Sequence, residues 1–236
     1  MIVQLFSETY GRGYLPKYAG NPVATFFSTS NVAFRRAALE DIGGFDETLL
    51  AGEDIDICLR GARSRWELYF TPAARVEHWA RDDVRGLFRQ WWGYGYYHAR
   101  LFAKHTSRAI ELLVLNPNPR AHTRFAVLYF RARSPVRAIV FVSSFAVMHA
   151  ALAGAALSAA AGSLPAAATC AAVSAGAAAV YFKDDLRGPG DLITRVRNAA
   201  LRYVVNLALV GGGLAGGLRE GYLFVYGTLW KRRGSR

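Results

Sequence analysis

Gly43-Gly44-Phe45-Asp46, followed by Gly52-Glu53-Asp54-Ile55-Asp56, is the stretch that decides how this chain folds. Glycine is favoured where a helix stops in the left-handed region, so Gly43 closes a helix expected from about Arg35 to Asp41. Glu53 and Asp54 then open a second helix, expected from about Glu53 to Ser64, because acids are stabilised at the positive end of a helix dipole. Ile55, Leu59 and Ala62 recur at helical spacing and turn one face of that helix inward. Upstream, Ser28-Thr29-Ser30-Asn31-Val32-Ala33-Phe34-Arg35-Arg36 leads into the first helix. Downstream, a third helix is expected from about Val84 to Lys104, presenting Leu87, Trp91, Tyr94 and Leu101.

Composition divides the 236 residues unevenly. Most acids precede Glu111, whereas Ala138 to Phe182 contains no Asp, Glu, Lys or Arg, a composition suited to lipid. Residues 1–108 read as a soluble α/β piece with short strand-like runs such as Leu68-Tyr69-Phe70. Asn116-Pro117-Asn118-Pro119 breaks the chain within a basic juxtamembrane stretch, residues 109–137, expected as linker and helices. There Arg131, Arg133 and Arg137 form a basic collar. Residues 138–182 are expected as a transmembrane hairpin: Ala138 to Ala161 and Leu164 to Phe182 could each span roughly 30 Å of hydrocarbon. Basic residues flank the pair but are missing from the turn Gly162-Ser163, which places both ends of the hairpin in the cytoplasm of an inner or plasma membrane. Residues 183–236 read as a basic loop, an interfacial or half-inserted helix over Tyr203 to Leu218, and a basic tail, with Tyr222, Tyr226 and Trp230 as anchors.

The net charge of +12 and a pI near 10.1 raise nucleic acid as a partner. The basic residues flank apolar segments instead of forming one stripe, so anionic lipid is the expected counter-charge and nucleic acid is not expected. Cys58 and Cys170 imply no disulfide framework. Met1 to Tyr10 lacks the basic region and apolar core of a secretory leader.

The chemistry concentrates at Glu53 and Asp54. Adjacent carboxylates at a helix start are, taken alone, first of all simple first-turn acids; the alternative is one acid pointing outward to accept a proton from a hydroxyl while its neighbour braces it. Asp54-Ile55-Asp56 spells a metal-binding D-x-D. On a helix, though, those two side chains diverge by about 200°, which favours a solvated Asp56 or one paired with Arg60. Ring stacking on a sugar is open to Trp91 and Trp92, as is a core or interface role. His149, inside the apolar region, is either a functional polar group or a neutral imidazole bonded to a neighbouring helix.

In their order these motifs resemble the C-terminal, acceptor-side half of the catalytic domain of family 2 glycosyltransferases. The resemblance rests on Asn31-Val32-Ala33-Phe34-Arg35-Arg36, the Gly-Gly-Phe-Asp turn, Glu53-Asp54, Tyr69-Phe70-Thr71-Pro72 leading to Val76 and His78, and Tyr94-Gly95. It implies a partial GT-A-like α/β fold followed by a helical membrane region. It also implies an inverting transfer from a nucleotide-sugar donor to a lipid-linked or polysaccharide acceptor, with Asp54 as general base beside Glu53. Gln90, Trp91, Trp92 and Tyr94 are the implied acceptor contacts, standing where relatives carry Gln-x-x-Arg-Trp; Gly93 replaces the Arg, which argues against processive synthesis. Arg35, Arg36 and Arg89 are candidates for the donor diphosphate, or a solvated basic face. His78 is a candidate ligand for Mg2+ or Mn2+, or a packed histidine. The family's nucleotide-binding half, with the main metal ligands, is expected to precede these motifs and is absent here. The chain therefore reads as an incomplete enzyme, weakly active alone, or alternatively as a non-catalytic membrane scaffold that partners an enzyme.

Overall fold

The computed structural model describes residues 29–66, 76, 83–106, 108–114 and 128–227. The expected strand at Leu68 to Phe70, the linker Asn116 to Pro119, Tyr69 to Pro72, His78 and Trp230 lie outside them. After a 3-10 turn at Thr29–Asn31 come helices α1 (Arg36–Asp41), α2 (Glu53–Ala62) and α3 (Val84–His105). Strands β1 (Ala109–Val114), β2 (Leu128–Arg133) and β3 (Ala138–Val142) follow, then helices α4 (Ser144–Ala160), α5 (Leu164–Leu186) and α6 (Leu192–Arg219), and strand β4 (Leu223–Val225). The fold is thus a mixed α/β region followed by C-terminal helices, with the three early helices close to their expected limits. Gly43, at φ +79°, stands just past α1, as the helix stop requires.

The sheet has the order β2-β1-β3-β4, antiparallel between β1 and β2 and parallel elsewhere. Ile139, Phe141 and Phe224 turn one face toward α3, where they pack on Ala99 and Phe102, and Tyr222, just before β4, joins the same cluster. This arrangement corrects three expectations. Where linker and helices were expected over residues 109–137, the described residues form the strands Ala109–Val114 and Leu128–Arg133. The first apolar helix begins at Ser144, because Ala138–Val142 alternates as a strand whose Ile139 and Phe141 face the core. Short apolar runs carry no period that separates a strand from a helix. Arg137 is not part of a lipid-facing collar: it donates to the carbonyls of Ala103 (3.0 Å) and Thr106 (2.8 Å), closing the end of α3, and lies over the Tyr222 ring.

Asp56 locks α2 to its surroundings. Its side chain is fully buried, where Arg60 (2.7 Å) and Lys104 (2.7 Å) pair with it. Arg63 Nη1 donates to His105 Nδ1 (3.0 Å), so the proton sits on Nε2, which donates to Asp56 Oδ1 at 2.7 Å. Burial alone would raise the Asp56 carboxyl, but bonds from Lys104, His105 and Arg60 outweigh it and hold the group below its usual range. Asp56 is therefore paired with Arg60 as expected, and enclosed where solvent was the alternative. Arg60 also donates to the carbonyls of Ile42 and Gly44, and Lys104 to Asp46 at 2.7 Å.

Helix α6 lies against α3 at backbone contact. A Cβ on Gly212 would stand 2.1 Å from the Trp92 carbonyl oxygen, and one on Gly216 2.3 Å from that of Tyr96. The segment expected as a short interfacial helix is instead a continuous helix of 28 residues, starting at Leu192. Its basic residues interrupt the apolar pattern in sequence, but Arg202 is absorbed by Asp185 and the Tyr181 ring. Tyr222 and Tyr226 do not anchor to an interface: Tyr222 is buried and donates to the Ala99 carbonyl, and the Tyr226 hydroxyl meets His98 Nδ1 at 2.8 Å.

Helices α4 and α5 form an antiparallel hairpin, joined where the Ser174 hydroxyl donates to the Met148 carbonyl at 2.9 Å. Helices α5 and α6 are long and apolar enough to cross a membrane; α4, with 17 residues, is shorter. His149 bridges α4 and α6: Nδ1 donates to the Phe145 carbonyl (2.8 Å) and Nε2 meets the Tyr203 hydroxyl on α6 (2.9 Å).

Two substitutions test this framework. Asp56→Ala removes the buried anion that three donors share and is expected to cost about 3 to 5 kcal/mol, read as a lowered midpoint of thermal unfolding. Gly212→Leu is expected to separate α3 from α6 and lower the midpoint well beyond the effect of Leu207→Ala, a change at an exposed position of the same helix.

Candidate active site

Helix α2 opens at Gly52, which has φ +82°, in the left-handed region that side chains disfavour. A Cβ there would also approach the His98 ring to 3.2 Å. Gly52 thus lets α2 start hard against α3 and presents Glu53 and Asp54 at the first free amides of the helix. Glu53 accepts from the Thr29 hydroxyl at 3.2 Å. Asp54 Oδ1 accepts from the Ile55 amide at 2.8 Å.

Asp54 remains partly exposed, outside any closed core. Its carboxyl is raised to about 6, first by burial and then by the Glu53 charge, with the amides of Ile55, Asp54 and Thr29 offsetting part of the effect. Asp56, on the same helix, is shifted in the opposite direction. Because Asp56 is enclosed by Arg60, Lys104 and His105 while Asp54 keeps part of its surface open, the two acids of the D-x-D spelling do not converge. A carboxylate raised in this way is a stronger base than a free one.

Behind Gly52 lie residues that sequence reasoning missed. His98 stacks between Tyr94 (6.3 Å) and Tyr226 (5.2 Å), and burial lowers it to about 4, so the imidazole is neutral. Nothing in the sequence marks His98, since Tyr226 lies far along the chain. Thr29 falls inside the Ser28 to Asn31 run, which was a usable signal.

The other candidates are dispersed. Gln90 donates to the Tyr94 hydroxyl at 2.9 Å, tying two acceptor candidates together on α3. Trp92 keeps 39% of its surface exposed, against Phe88. Trp91 does not offer a stacking face: it is 4% exposed and packs on Val205, Ala208 and Leu209 of α6. Arg35 and Arg89 are exposed, and Arg36 pairs with Glu40 at 2.8 Å.

Residues 4–181 match the model of glycosyl transferase family group 2. The chain belongs to this family. Over 94 residues it is 34% identical to the pre-mycofactocin glycosyltransferase of Mycobacterium tuberculosis, strain CDC 1551 / Oshkosh, and equally to that of strain ATCC 25618 / H37Rv. The match covers 38% of this chain and 19% of the relative, so it spans less than a fifth of the length of these curated proteins. No solved structure matches the chain. Family 2 glycosyltransferases commonly use a divalent cation. Among the described residues no three His, Cys, Asp or Glu side chains are grouped to hold one.

The raised Asp54 carboxyl has a measurable consequence for stability. The fold disfavours its ionised form, so the native chain loses stability as pH rises from about 4 through about 6. Asp54→Asn escapes that loss. Its thermal midpoint is expected to lie a few degrees above that of the native chain at about pH 8, with the difference closing near pH 4.

Proposed function

We propose that this chain contributes the acceptor side of an inverting sugar transfer, with Asp54 as the general base. The carrying observation is a partly exposed carboxylate, raised to about 6, at the glycine-capped start of α2. In the transfer, Asp54 takes the proton of an acceptor hydroxyl. The freed oxygen attacks the anomeric carbon from the face opposite the nucleoside diphosphate. The bond to the diphosphate breaks, the leaving group keeps the electron pair, and the configuration inverts. Glu53, braced by Thr29, raises the basicity of Asp54 through its charge. Gln90, Tyr94 and Trp92 on α3 are the acceptor contacts of this reading. The Mg2+ or Mn2+ belongs with the donor diphosphate, outside the described residues.

The acceptor is lipid-linked or part of a cell-envelope polysaccharide, and the chain works at a membrane. That assignment is supported by α5, of whose most apolar 18-residue stretch only 6% is buried by protein. Leu157, Leu164, Val173 and Val180 on the α4–α5 hairpin are exposed with no polar face opposite, a surface that water does not support and hydrocarbon does. The basic flanks of the hairpin support a cytoplasmic face for the catalytic side.

In the complete transferase carrying this chain, Asp54→Asn is expected to lower kcat by about 100-fold or more while leaving binding of the nucleotide sugar unchanged. The native rate is expected to rise with pH through about 6, as the base ionises, and then level off. Native turnover by the variant removes Asp54 from the mechanism.

A further inference from the structure

The β1–β2 end of the sheet holds a cavity that sugar transfer at Asp54 leaves unused. Its volume is about 710 Å3, and Arg108, Arg131, Arg133, Ser134 and Pro135 line it. That volume falls within the range of small-molecule sites.

The strand register gathers the charges. Ala109 pairs with Arg133 and Glu111 with Arg131, so the two strand arginines project from one face of β2, and Arg108 directly precedes β1 at the same end of the sheet. Like charges set side by side on a sheet repel. Among the described residues one is answered by an acid: Arg131 lies 3.4 Å from Glu111, which is itself buried. Arg108 and Arg133 are exposed and have no hydrogen-bond or ion-pair partner among the described residues. Among the described residues, three arginines against one glutamate leave two positive charges in a concave surface. Ser134 Oγ accepts from the Val136 amide at 3.1 Å, which leaves its own proton to donate into the cavity. Guanidinium forks fit phosphate oxygens in pairs, and two excess charges suit a diphosphate better than a single carboxylate.

The position separates this cavity from the proposed base and from the bilayer. Arg63, at the far end of α2, meets His105 at the end of α3, and Arg108 follows. The cavity therefore lies toward the end of α2 away from Asp54, about 15 Å of helix distant. Strand β2 runs antiparallel to β1, and β3 parallel to it, so Arg133 lies at the sheet end opposite the one that leads β3 into α4. A soluble ligand reaches that end more readily than a headgroup does.

We propose that Arg108, Arg131, Arg133 and Ser134 form a binding site for the phosphates of a soluble diphosphate-bearing small molecule, separate from Asp54. The test is calorimetric titration of the full chain with inorganic pyrophosphate in phosphatidylcholine nanodiscs. Saturable binding is expected. It should weaken by more than about tenfold in the Arg108→Gln, Arg133→Gln double variant and persist in both Asp54→Asn and the Arg35→Gln, Arg36→Gln control. Both altered arginines are exposed, so the double variant should fold with an unliganded thermal midpoint equal to or above that of the native chain. Absence of saturable binding, or equal binding by the double variant, overturns the site. The titration is repeated in phosphatidylglycerol nanodiscs, with salt sufficient to screen the bilayer charge. Unchanged affinity there supports a soluble ligand; abolished binding means that lipid headgroups occupy the pocket and overturns the soluble assignment.

Discussion

A charge with no exposure to water sits at the centre of this fold, and its neighbours are arranged to keep it there. Asp56 would be intolerable in the interior without Arg60, Lys104 and His105, since an unpaired buried carboxylate costs several kcal/mol. Meeting that demand draws in the rest. Arg60 is left with donors that reach the carbonyls of Ile42 and Gly44, so the turn after α1 is held. Lys104 reaches Asp46 as well, and His105 meets Arg63. One carboxylate thereby joins the Gly-Gly-Phe-Asp turn to α2 and α3. The same anchoring sets the rotation of α2 about its axis, and with it the outward direction of Asp54.

The divergent fates of Asp54 and Asp56 show how little residue type alone says about chemistry. Both are aspartates in the first turn of one helix. The inner one is surrounded by donors and held below its usual range; the outer one is partly desolvated beside another acid and raised to about 6. Burial opposes ionisation in both, and the partners decide which way each group moves.

Helix α3 carries the connection from this site to the apolar helices. One of its faces meets Leu49, Ile55 and Leu59 through Leu101, and another meets the sheet through Ala99 and Phe102. A third lies on α6, at the backbone spacing that Gly95, Gly212 and Gly216 permit. Helix α6 in turn is fastened to the α4–α5 hairpin by Arg202 with Asp185 and by Tyr203 with His149. The proposed base and the hairpin are thus parts of one packed framework.

Several elements were legible without coordinates. The glycines after Asp41, the acids after Gly52 and the apolar spacing through Leu101 carry the limits of α1, α2 and α3, because caps and helical period are local properties. The order of motifs around Asp54 carried the family, and the charge-free run beyond Ala138 carried the apolar hairpin. Other features were hidden. Ala138 to Val142 is as apolar as the helix after it, and only pairing with β1 makes it a strand. Arg137 and Tyr222 read as membrane flank and anchor until the end of α3 is seen between them. The sequence by itself determined which residues share a helix face and where apolar surface must be buried or given to lipid. Tertiary structure alone decided that Asp56 turns inward to three donors, that Trp91 is covered by α6, and that Arg108 and Arg133 share a pocket. The physical reason is that periodicity sets directions within an element, while burial, charge and reactivity depend on which distant element lies across from it.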